Sequence, residues 1–86
     1  ETINALQALA LLNNGLTVYA AEEFAGRLRT AHPGEETDPA VVTSRLQTAY
    51  ELALARPATA EELARLSGYA RAHGWPNTCR VLLNLN

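Results

Sequence analysis

The chain has 86 residues, a formal net charge of −2 and a single cysteine. That length makes one domain able to bury roughly 60–65% of its unfolded surface. The charge and the seven scattered arginines, with no lysine, exclude the basic face that duplex binding needs, and one cysteine excludes an internal disulfide and a Cys-rich zinc site.

Sixteen alanines and fourteen leucines, with few β-branched residues, point to an all-α protein. The first twenty residues after Glu1 carry no Asp, Glu, Lys or Arg. No basic residue precedes Arg27, so this start is no signal peptide. Asn4, Gln7, Asn13, Asn14, Gly15 and Thr17 interrupt it too often for a membrane span of about 20 apolar residues. It reads as a buried helix from Ile3 to Asn13, with Thr2 as N-cap and Asn14-Gly15 as its stop. Ile3, Leu6, Leu9, Ala10 and Leu12 cover most of its surface. Asn4, Gln7, Leu11 and Asn14 share the narrow remaining face. Its Asn4, Gln7 and Leu11 are a candidate interaction site for another part of a larger protein. The alternative is that Asn4, Gln7, Asn13 and Asn84 bond backbone groups and fix the docking of the first and last helices.

A second helix is expected from Leu16 to Thr30, with Val18, Ala21, Phe24, Ala25 and Leu28 at helical spacing. Glu22 and Glu23 suit its start, Arg27 and Arg29 its end. Gly26 suggests the close approach of another helix. His32 to Asp38 forms a loop, broken by Pro33-Gly34 and kept wet by Glu35, Glu36 and Asp38; it should be the most mobile segment. One imidazole and three carboxylates there invite a metal reading, but their spacing matches no ligand pattern, and a solvated acidic loop is the simpler reading.

Asp38-Pro39 starts a third helix as N-cap and first position. Its stripe is Val42, Leu46, Ala49 and Ala53, widened by Tyr50 and Leu54. It should stop near Ala55 or Arg56, because Pro57 disfavours helix before it. Arg56 can reach back to the carbonyls of that helix end. Thr59 and Glu62 form a capping box for a fourth helix with Leu63, Leu66, Ala70 and His73 in one line and Gly74 as its stop. His73 there can face free helix-end carbonyls. Trp75 to Thr78 reads as a turn. A short fifth helix then places Cys79, Leu82, Leu83 and Asn86 on one face. Cys79 is a buried structural thiol on this pattern, because a nucleophile wants exposure and a positive neighbour.

Three stretches in order resemble one family. They are Ala5-Leu6-Gln7-Ala8-Leu9-Ala10-Leu11-Leu12-Asn13-Asn14, the hinge from Tyr50 to Leu63, and Cys79-Arg80-Val81-Leu82-Leu83-Asn84-Leu85-Asn86. The resemblance is to the C-terminal domain of large planctomycete and verrucomicrobial proteins, domain of unknown function 1553. Members often carry an upstream cytochrome-c-like domain, and several are encoded near polysaccharide-degradation genes. Ala5 stands where the family usually has Pro, and Ala55 where it usually has Gly. The hinge is one residue shorter between Arg56 and Pro57. Members usually continue into an aromatic tail beyond the closing asparagine. The resemblance therefore implies a piece of a larger, extracytoplasmic protein, and supplies no catalytic residue.

The expectation is a single all-α domain over residues 1–86, four main helices plus a short C-terminal one in a compact bundle. Short connections at Asn14-Gly15 and Arg56-Pro57-Ala58 should make neighbouring helices antiparallel or sharply crossing. Cys79 lacks the C-x-x-C-H context of a c-type haem, and no P-loop, G-x-S-x-G, H-E-x-x-H or EF-hand pattern occurs. The pairs Glu22/Glu23 and Glu61/Glu62 are explained by helix starts. No catalytic, cofactor or metal site is expected. The partners expected are other domains of the parent protein, with no nucleic acid and no membrane insertion. The function expected is a non-enzymatic structural or interaction module. The alternative is part of a polysaccharide-degrading or carbohydrate-binding protein whose site is completed by absent segments.

Overall fold

The computed structural model describes residues 14–85, and side chains from residue 17 on. Within them lie four helices and no strand: α1 Asn14–Ala31, α2 Pro39–Leu54, α3 Ala60–His73 and α4 Trp75–Leu85. The all-α bundle is thus as expected. The first expected helix, Ile3 to Asn13, lies outside the described residues.

Helix α1 buries Ala21, Phe24, Ala25 and Leu28, a stripe at the i, i+3, i+4, i+7 spacing of one helix face. The two alanines let another helix come close, and α1 packs most extensively on α4, where Cys79 and Leu82 are its buried counterparts. Helix α2 adds Val42, Leu46, Ala49 and Tyr50 to the same core, and α3 adds Ala70. Helix α3 meets α2 and α4 but not α1. The core is therefore a wedge of α1, α2 and α4, with α3 closing one side.

Local signals set most boundaries. Asp38 caps α2, its Oδ1 accepting from the Ala40 N–H at 2.9 Å, with Pro39 at the first position. Proline fits there because its missing N–H would have no helical partner. Thr59 and Glu62 form the expected capping box of α3. Helix α2 ends through Ala55, held in the left-handed conformation at φ 58°, with its N–H donating to the Glu51 carbonyl at 3.0 Å.

Several expectations need correction. Asn14 and Gly15 are helical, the first residues of α1 and not a stop. Glu22 and Glu23 consequently lie in the middle of α1, where the helix dipole offers them little. Trp75 to Thr78 is the first turn of α4, not a separate turn. Gly74 alone connects α3 to α4: its N–H caps the Ala70 carbonyl, and its own carbonyl accepts from the N–H and hydroxyl of Thr78. Its φ of 88°, open to glycine at no steric cost, makes this sharp junction possible. At Gly26 an added Cβ would meet nothing within 4 Å, so no described helix approaches it.

Candidate interaction surface

Of the residues singled out for chemistry in the α1–α2 loop, His32, Glu36 and Asp38 are committed to structure, while Glu35 is exposed. Arg45 was not foreseen, and it organises the loop. It projects from α2 between Val42, Leu46 and Ala49 and is only 1% exposed. Its Nε donates to the His32 carbonyl at 2.9 Å, its Nη2 to the Gly34 carbonyl at 3.4 Å, and its Nη1 to Glu36 Oε2. Glu36 also accepts two hydrogen bonds from Arg29 of α1, at 2.8 and 3.0 Å. The Glu36 carbonyl accepts from the Trp75 indole N–H at 3.2 Å, and the Arg45 guanidinium lies 5.4 Å from the Trp75 ring centre. His32 Nε2 shares a 2.6 Å hydrogen bond with Thr48 Oγ1. A segment expected to be the most mobile is instead cross-linked to α1, α2 and α4.

These bonds decide the electrostatics. The hydrogen bonds from Arg29 hold the Glu36 carboxyl below the usual carboxylate range; partial burial opposes them and Arg45 reinforces them. A charged Glu36 therefore neutralises the buried Arg45 cation. Among the described residues no buried side-chain nitrogen or oxygen lacks a partner. Nor, among them, do three or more His, Cys, Asp or Glu side chains cluster as metal ligands would.

Arg56 does not reach back to the carbonyls of α2. It grips Glu62 with two hydrogen bonds at 2.7 and 2.8 Å, donates to the Pro57 carbonyl, and lies 5.4 Å from the Tyr50 ring centre. Arg56, with the Thr59 N–H, holds the Glu62 carboxyl down to about 2. His73 is exposed and not on an inner line. Its ring sits 4.4 Å from that of Tyr69, and its carbonyl accepts from Asn77. Cys79 is fully buried, and burial pushes its thiol up to about 12. That is the profile of an inert structural thiol.

What remains unsatisfied is apolar. Tyr19, Leu52 and Leu85 are 60%, 62% and 57% exposed, and Val18 is exposed as well. Two grooves run beside them. One, of about 410 Å³, is lined by Ala20, Glu23, Phe24 and Arg27 of α1, Leu52 and Ala53 of α2, and Leu83 of α4. The other, of about 280 Å³, is lined by Tyr50, Glu62, Arg65, Leu66, Val81 and Leu85. A shallower polar groove holds Tyr69, Asn77, Arg80, Val81 and Asn84. Trp75 and Tyr50 are core residues, 1% exposed each, so neither is a free platform for a sugar ring. Asn4, Gln7 and Leu11, the interaction face read from the sequence, lie outside the described residues, as does Asn13. Asn84 is exposed and belongs to the polar groove.

The groove residues were missed because a groove joins helices distant in sequence. One signal was available: Leu52 falls off the Val42, Leu46, Ala49 and Ala53 stripe of its own helix, so it had to face either solvent or something else.

The described residues thus form an all-α bundle with a satisfied polar interior and apolar grooves at its surface. Residues 1–70 match the family described as PSD1, protein of unknown function (DUF1553), and the chain belongs to that family. No curated protein and no solved structure matches the chain. The closing likeness from Cys79 to Asn86 lies beyond the matched residues. No helix among the described residues is long and apolar enough to cross a membrane.

Proposed function

We propose that the chain is a non-enzymatic helical interaction module of a larger, extracytoplasmic bacterial protein, docking onto that protein's other domains. The observation that carries this reading is the groove between α2, α3 and α4. Leu66 and Val81 line it, Leu85 stands 57% exposed at its edge, and Arg65 sits at its rim with no ion-pair partner among the described residues. Exposed apolar surface with a polar rim is the usual anatomy of a contact site. Its chemistry suits an apolar helix face carrying an acidic residue opposite Arg65. The extracytoplasmic setting is drawn from the family resemblance.

The test is calorimetric titration of the chain with the remaining polypeptide of its parent protein. Leu85→Glu should weaken binding at least tenfold, roughly 1.4 kcal/mol. Wild-type binding that ignores Leu85→Glu, or no binding at all, overturns the reading. A second reading, carbohydrate binding, draws support from the polar groove of Tyr69, Asn77, Arg80 and Asn84. Oligosaccharide titration followed by NMR should shift those amides if it holds; unmoved signals remove it.

A further inference from the structure

We infer that the outward face of α1 is an interface between two copies of this chain, packed antiparallel about a two-fold axis level with Ala25. The face shares no residue with the groove assigned to a partner above.

Helix periodicity fixes where the face points. Ala25 is fully buried against the core. At about 100° per residue, Glu23 and Arg27 each stand about 20° from the direction opposite Ala25. Both are exposed, and with Gly26, Thr30 and Ala31 they line a shallow groove along α1. A Cβ added at Gly26 would meet nothing within 4 Å, so the groove is open on that side. Tyr19, 60% exposed, stands one turn before Glu23.

Charge selects the occupant. Glu23 and Arg27 are one turn apart, yet among the described residues neither forms an ion pair. Two copies of α1 laid antiparallel set Glu23 of each opposite Arg27 of the other. One two-fold axis then yields two attractions. A parallel copy would set Glu23 on Glu23. A partner of a single charge sign would repel one of the two residues.

The rest of the face matches itself about the same axis. Tyr19 lies six positions before Ala25 and Ala31 lies six after it. The exposed ring of one copy therefore covers Ala31 of the other. Ala20 and Thr30, five positions to either side, meet in the same way. One helix pair buries less than the roughly 1,200 Å² of a stable complex, so the dimer is weak and forms at high concentration.

The experiment is sedimentation equilibrium of the full 86-residue chain at up to about 1 mM. A monomer–dimer equilibrium is expected. Glu23→Arg should weaken it at least roughly tenfold, because it sets like charges together twice. Arg27→Glu should do the same. The double swap of Glu23→Arg with Arg27→Glu should return it to within about threefold of the wild type. Dilution of the wild-type chain followed by NMR is a second readout, independent of how any variant folds. The amides of Tyr19, Glu23 and Arg27 should shift with concentration, and those of Leu66 and Leu85 should not. A chain that stays monomeric, a dimer indifferent to Glu23→Arg, a folded double swap that stays monomeric, or shifts confined to Leu66 and Leu85 would each overturn the inference. Leu85→Glu should leave the dimer intact, so this inference and the proposed function fail separately.

Discussion

The two joints of α2 are built from the same parts and behave differently. The joint at its start, residues 32–38, has a positive-φ residue, Gly34, and an arginine–glutamate pair, Arg45–Glu36. The joint at its end, residues 55–59, is flanked in the same way by Ala55 and the pair Arg56–Glu62. Arg45 is buried to 1% exposure and bonds two loop carbonyls as well as its glutamate, whereas Arg56 is 45% exposed in its side chain. A buried cation must be neutralised and fully hydrogen-bonded or it costs several kcal/mol. An exposed pair is screened by water and adds little. The first joint therefore ties α1, α2 and α4 together, while the second only shapes a turn.

The largest effect should come from removing the counterion of the first joint. Glu36→Ala leaves Arg45 buried and unpaired and should cost about 3 kcal/mol in chemical denaturation. The cost falls at the low end of the roughly 3–5 kcal/mol of a fully buried pair because Glu36 is half exposed. Adding Arg45→Met to that variant removes the stranded charge and keeps apolar contact with Trp75. The double variant should then lose much less than the sum of the two single losses. Strict additivity would mean that Arg45 is satisfied by carbonyls alone, and would erase the contrast between the joints.

Next in size are the two positive-φ positions, which should respond with opposite signs. At Gly34, φ is 141° and an added Cβ would lie 2.7 Å from Val41 Cγ2. Gly34→Ala must move either the loop or Val41 and should cost about 2 kcal/mol. Ala55 already bears its Cβ in the left-handed region, where an L-residue carries a penalty of roughly 1–2 kcal/mol. Ala55→Gly should relieve that penalty, less the extra entropy of an unfolded glycine, for a net gain of about 0.5–1 kcal/mol. A thermal melt of each variant checks the signs. A stabilising Gly34→Ala would show that the loop is not fixed by its bonds to Arg45. The family resemblance places glycine at position 55, so Ala55→Gly also tests whether this chain's departure there has a cost.

What the sequence disclosed about these joints follows range of interaction. Asp38-Pro39 and the Thr59–Glu62 box are written within four residues, and both act as read. The Val42, Leu46 and Ala49 stripe is a helical period and is equally direct. Arg45 left a mark that was not used: it stands one position from Leu46, inside that stripe, where a charge must be either paired or misplaced. Its partners come from residues 9 to 13 positions away and from Trp75, thirty positions on, so the pairing itself was hidden. Gly74 was read correctly as a stop, but a single glycine joining two helices was not, and Trp75 was therefore assigned to a turn when it belongs to the core. Gly26 suggested a helix–helix approach that depends on tertiary contacts, and the described helices make none there. The grooves were invisible for the same reason. One arises where α1 meets α2 and α4 and the other where α3 meets them, pairings that no local pattern encodes.

The smallest effect, and the sharpest for the comparison, is acid sensitivity. Both glutamates have depressed folded-state pKa values, so each stabilises the folded chain fully above its unfolded value of about 4.3. Each contribution fades as pH falls through the folded value. For Glu62 that value is about 2, which opens a window from about pH 4.3 down to about 2. Water screening keeps the Glu62 contribution small despite its larger displacement. Glu36, whose proton would also strand the Arg45 charge, should account for most of the lost stability. Denaturation curves of Glu36→Gln and Glu62→Gln between neutral pH and pH 2 separate the two. Glu36→Gln should flatten the acid dependence markedly and Glu62→Gln only slightly. The reverse ranking would mean that the exposed capping pair, rather than the buried cation, is what acid dismantles first.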